Sequence, residues 1–171
     1  MKIRDIVTKP SEALQAMVDG LKEQDEREDF EIDMDVWGMV RNKMCFGCAA
    51  TCAIQKIAGK NLNHDIPKEY MDKSTGEIRA VHLHEEILGL ETTQEATDFE
   101  CAINNARKGK LPLLFKFFDI YPVDYMTYAK YKTLTCIYDD KNNLMSMETN
   151  NWRKFIPFVE KKIMQLQEAG Y

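Results

Sequence analysis

The run Met44-Cys45-Phe46-Gly47-Cys48-Ala49-Ala50-Thr51-Cys52-Ala53-Ile54 carries no charge and holds three of the five cysteines of this 171-residue chain. An element that is apolar nearly all round has no face to offer water, so this run belongs in a core. Continued through its flanks, the spacing predicts one buried central helix over about residues 36–58. On it Met39, Phe46, Ala50, Ala53, Ile54 and Ile57 share one broad face. Cys45, Cys48 and Cys52 fall within an arc of roughly 60° on another, between Arg41 and Lys56. The small residues Gly47, Ala49, Ala50 and Ala53 let neighbouring elements approach closely.

Three readings of the cysteines follow. Free cysteine behaves as a small hydrophobe, so the three can be core residues with no chemistry. Alternatively C-x2-C-x3-C aims three sulfurs at one place, where a metal or a thiol-redox pair could use them, with Arg41 and Lys56 favouring thiolate. A structural zinc site would draw its ligands from two separate knuckles, and an iron–sulfur cluster would need a fourth cysteine from Cys101 or Cys136. In the third reading Cys45 or Cys48 is a nucleophile at a helix start capped by Asn42, where backbone N–H groups lower a thiol pKa.

Cysteine followed by small residues, over about a dozen positions, is similar to the opening of the central helix in papain-like and bacteriocin-processing cysteine peptidases. That resemblance implies a cysteine-dependent hydrolase with a downstream histidine base. The histidines here are His64, His82 and His84, and none lies further on. If residues 79–88 form a helix, as Glu85-Glu86-Ile87-Leu88 favours, His82 and His84 diverge, chelate nothing together and sit at the surface.

A chain with 44% hydrophobic residues and no Pro/Gly/Ser-rich linker is expected to form a single domain over residues 1–171. Its 23 basic and 28 acidic residues give a net charge of −5, which disfavours nucleic acid and anionic membrane as partners. No run reaches the roughly 20 apolar residues of a membrane span, and the start lacks the apolar stretch of a signal peptide. An odd cysteine count clustered on one element is a poor disulfide framework, so a reducing cytoplasm is expected.

Along the chain, Leu14, Met17, Val18 and Leu21 mark a first amphipathic helix, with Pro10 in its first turn and Thr8 or Ser11 as cap. Residues 23–35 hold eight acidic side chains and one arginine. Within them Phe30, Ile32, Met34 and Val36 alternate as in a short strand. Asp29, Glu31 and Asp33 start like a calcium loop, but Met34 stands where the glycine belongs and Val40 where the closing glutamate belongs.

Thr92 or Thr93 caps a helix to about Arg107, with Ala96, Phe99, Ile103 and Ala106 inward. The apolar residues 111–118 are expected as a helix opening at Pro112 or as a surface against a partner chain. Tyr121, Tyr125, Tyr128 and Tyr131 recur at near-helical spacing. Thr133-Leu134-Thr135-Cys136-Ile137-Tyr138, a polar turn and residues 144–149 are expected to pair as an antiparallel β-hairpin over about 133–149. The last helix aligns Trp152, Phe155, Ile156, Val159, Ile163 and Leu166.

The expectation is thus a mainly α, single helical domain that needs no cofactor. Its function is protein interaction or regulation without catalytic activity, through a protein partner or a homo-oligomer. The alternatives are a thiol-redox or metal-binding protein using Cys45, Cys48 and Cys52, and the cysteine-dependent hydrolase.

Overall fold

The computed structural model describes residues 1–122 and 126–171, which are mainly α-helical with one small three-stranded mixed sheet. Helices α1 (Ile3–Ile6) and α2 (Pro10–Asp25) lead into strands β1 (Phe30–Ile32), β2 (Gly38–Arg41) and β3 (Met44–Gly47). Then come α3 (Ala49–Ala58), a 3-10 turn (Lys68–Tyr70), a π-helical segment (His82–Ile87), α4 (Thr93–Ala106), α5 (Pro112–Phe117), α6 (Tyr128–Thr135) and α7 (Trp152–Glu168). Among the described residues no helix is long and apolar enough to cross a membrane.

The expected helix over 36–58 is replaced by a hairpin followed by a shorter helix. Arg41 faces Met44 and Gly38 faces Gly47 in an antiparallel pair, and helix begins only at Ala49. The physical reason lies in the turn. Asn42 and Lys43 hold φ of 51° and 63°, the left-handed pair of a type I′ turn, whose twist matches the strands it joins. On its other edge β3 runs parallel to β1, with Phe30 opposite Cys45 and Ile32 opposite Gly47. A short apolar run fits helix or strand, and hydrogen bonding from both sides makes this one the central strand.

The hairpin expected over 133–149 is also corrected. Residues up to Thr135 belong to α6. Thr133 and Thr135 donate their hydroxyls to the carbonyls of Ala129 and Tyr131, four residues back, which accommodates these strand-forming types in a helix. A chain reversal follows, with Asp139 N–H donating to Asn143 O at 2.8 Å and Met145 N–H to Ile137 O at 2.9 Å. Its pairing stops at the isolated bridge between Tyr138 and Leu144. Ile137 N–H donates to Gly109 O and Leu111 N–H to Thr135 O, which pairs Cys136 with Lys110 rather than across the expected hairpin.

Helix α2 packs on both α3 and α7. Its expected stripe Leu14, Met17, Val18 and Leu21 is buried, and Gly20 makes the close approach possible: a Cβ there would lie 2.3 Å from Cys52 O. Thr92 caps α4 by accepting from Glu95 N–H, and Pro112 opens α5. Of the apolar residues 111–118, Leu111, Leu114, Phe115 and Phe117 are buried within this chain, while Leu113 is 40% exposed. Phe117 meets Phe99 of α4 edge-on, ring centres 5.3 Å apart.

Candidate functional site

Cys45 lies on β3, Cys48 is the N-cap residue of α3 and Cys52 is in that helix's first turns. They therefore do not share the helix face on which the metal and redox readings rest. All three are buried. Burial pushes the Cys45 thiol up to about 11, raises Cys48 against hydrogen bonds from Thr51, and drives Cys52 well above the usual thiol range. Protonated, enclosed sulfurs pack as small hydrophobes. Among the described residues, no three His, Cys, Asp or Glu side chains come together in a group that could hold a metal ion.

No histidine is hydrogen-bonded to a cysteine among the described residues. His82 stacks on Tyr70 with ring centres 4.2 Å apart. His84, expected at the surface, is fully buried. Its Nε2 accepts from Trp37 Nε1–H at 2.9 Å, while its Nδ1 has no partner. An imidazole that accepts at Nε2 is neutral, and burial lowers its pKa to about 4.

A different group of reactive side chains meets around the C-terminal end of α6. A cavity of about 470 Å³ is lined there by Cys136, Tyr138, Asp139, Phe158, Lys161 and Lys162, among others. Each element delivers one part. Helix α6 ends at Thr135, its last carbonyls lacking intrahelical donors, and Lys162 of α7 donates its Nζ to Thr133 O at 2.6 Å. Cys136, half-buried, follows as the first extended residue, and the reversal at 139–143 turns Tyr138 and Asp139 onto the same rim.

The electrostatics here are unusual for a core-register lysine. Lys162 is only 6% exposed. Burial lowers its pKa, the nearby Cys136 opposes that change, and Lys161 adds to it. One acceptor fills one of its three N–H donors. Tyr138 is held above the usual phenol range, chiefly by the adjoining Cys136. The arrangement sets a thiol, an amine and a phenol on one concave surface.

Above the cavity α6 stands almost free. Of its eight residues only Thr135 is buried. Tyr128 is 72% exposed with Lys132 Nζ 5.0 Å over its ring, and Tyr121 is 61% exposed. Tyr131 is half-buried; Tyr125 of the same row lies outside the described residues.

The cavity was legible in one detail. On the α7 stripe the spacing Phe155, Val159, Lys162, Leu166 puts a lysine where a core residue belongs. Nothing local joins it to Cys136, because the two come to one cavity only where Lys162 Nζ reaches Thr133 O near the end of α6. Compared with known proteins, the chain matches no family model, no curated protein and no solved structure.

Proposed function

We propose that this chain is a protein-interaction or regulatory domain without catalytic activity, and that it docks an acidic surface of another protein on the outer face of α6. The observation that carries this is a helix with one buried residue and a tyrosine 72% exposed. A surface helix ordinarily gains its stability from an apolar face laid on the core. Tyrosine presents a large rigid contact area with a polar tip, which is why it is common in binding surfaces.

Charge selects the partner. Helix α6 carries Lys130 and Lys132 and no acidic residue. These cations match carboxylates. The chain's own acidic segment is a poorer match, because Glu23, Asp25 and Asp29 already pair with Lys56, Arg153 and Arg27. A net charge of −5 opposes a long polyanion such as nucleic acid.

The test is photo-crosslinking in cells of origin with benzoylphenylalanine at Tyr128, against the same probe at Met164 as an exposed control on α7. The expected result is one protein joined at position 128, which when purified binds the wild type about tenfold tighter than Lys130→Glu/Lys132→Glu. Equal crosslinking at both positions, a self-crosslinked dimer, or a captured nucleic acid overturns the reading.

A further inference from the structure

The cavity below α6 has a chemistry that docking on its outer face does not use. We infer that Cys136 is the exchangeable thiol of this chain, and that its cavity accepts a small zwitterionic peptide disulfide of the glutathione type. The inference stands apart from whatever docks on α6.

Four of the five cysteines are poor candidates for this exchange. Cys45, Cys48 and Cys52 are sealed in the core, where burial keeps the thiols protonated and excludes reagents. Cys101 is exposed on α4, in a smaller cavity of about 320 Å³ beside Arg4, Lys116, Asp98 and Asp119. Cys136 combines access with a built surrounding. Its cavity of about 470 Å³ is within the range of small-molecule sites.

The lining matches such a ligand in both signs of charge. Lys161 and Lys162 face the cavity. Two N–H donors of the Lys162 ammonium are left after Thr133 O is satisfied. They suit the carboxylates of a peptide. On the rim Asp139 and Asp140 suit its ammonium. Asp139 is held in place by accepting from Lys141 N–H and Asn143 N–H, each at 2.9 Å.

The step is a thiol–disulfide exchange. The Cys136 thiolate attacks one sulfur of the small disulfide, a new S–S bond forms to that half, and the original S–S bond breaks. The other half leaves as a thiolate and takes up a proton from solvent, equal to the one Cys136 released. Cys136 is oxidised and the departing half is reduced, with no further reagent. A reducing thiol reverses it.

The experiment treats the native, reduced protein with oxidised glutathione or with uncharged hydroxyethyl disulfide, and follows each cysteine by peptide mapping over time. Cys101 serves as the internal reference. With oxidised glutathione, Cys136 is expected to react about tenfold ahead of Cys101, and the ratio should fall several-fold with the uncharged reagent. Lys161→Ala, a change on the exposed side of α7, should lower the ratio for oxidised glutathione alone. Lys162→Met should lower it further, with circular dichroism showing retained helix. Cys101 reacting as fast as Cys136, or a ratio indifferent to reagent charge and to Lys161→Ala, overturns the inference.

Discussion

Glu100 and His84 are two buried titratable groups whose burial acts on stability with opposite signs. Glu100 is 8% exposed, and among the described residues its one hydrogen bond is from Asn104 Nδ2 at 3.4 Å. Burial raises its carboxyl from 4.5 to about 7. The folded state then binds more protons than the unfolded state across that window, so stability is lost as pH rises through it. Glu100→Gln is expected to stabilise the protein at pH 8 by up to ~3 kcal/mol, measured by urea denaturation. His84 works the other way, since its folded pKa of about 4 is below the ordinary 6.5. Its contribution is complete above the unfolded value and disappears as pH falls toward the folded one. Unfolding of Glu100→Gln should therefore show stability dropping on acidification from about pH 6.5 to 4. Asp29, Glu85 and Glu148, all lowered by their partners, add the same sign at lower pH. A flat profile in that variant would show that His84 is not held neutral by the fold. Glu100 was readable as a charge on the inward register of Ala96 and Ile103; that no counter-ion among the described residues meets it was not.

At the level of elements, the hairpin of β2 and β3 is where local chemistry and hydrophobic pattern diverge. Uncharged residues at 44–54 satisfy a helical wheel, but the turn at Asn42-Lys43 divides the segment. Lys43 at φ 63° is in a region that costs a side-chain-bearing residue. Lys43→Gly is expected to stabilise the protein by about 0.5–1 kcal/mol in urea denaturation, since glycine adopts that φ without the Cβ clash. Destabilisation would show that the lysine side chain contributes more than its backbone strain costs. The contact of α2 with α3 gives the converse case. A methyl at Gly20 would meet the backbone of Cys52, at 2.3 Å from its carbonyl oxygen, so Gly20→Ala should destabilise by about 1–3 kcal/mol. Long amphipathic helices were legible because their stripes repeat over several turns. Helix α6 was not, because its threonines favour strands in isolation and are held helical by hydroxyl bonds to the preceding turn.

Across the molecule, distant segments are tied together by single bonds as well as by the core. Met34 N–H donates to Thr149 Oγ1 at 2.9 Å, and Arg153 of α7 pairs with Asp25 at the end of α2. If the chain unfolds as one unit, tryptophan fluorescence in Trp37→Phe, which leaves Trp152, and in Trp152→Phe, which leaves Trp37, should each follow the same urea midpoint as helix content. Separate midpoints would divide the sheet region from α7. By itself the sequence determined the mainly helical class, the stripes of α2, α4 and α7, and the placing of the uncharged run at 44–54 in the core, because periodicity and lack of charge are local properties that packing must respect. Only the tertiary structure decided that β3 lies between two strands, that Leu114, Phe115 and Phe117 are covered from within, and that Lys162 and Cys136 line one cavity. Those outcomes depend on partners far along the chain, and no spacing within one segment records which of them will come to it.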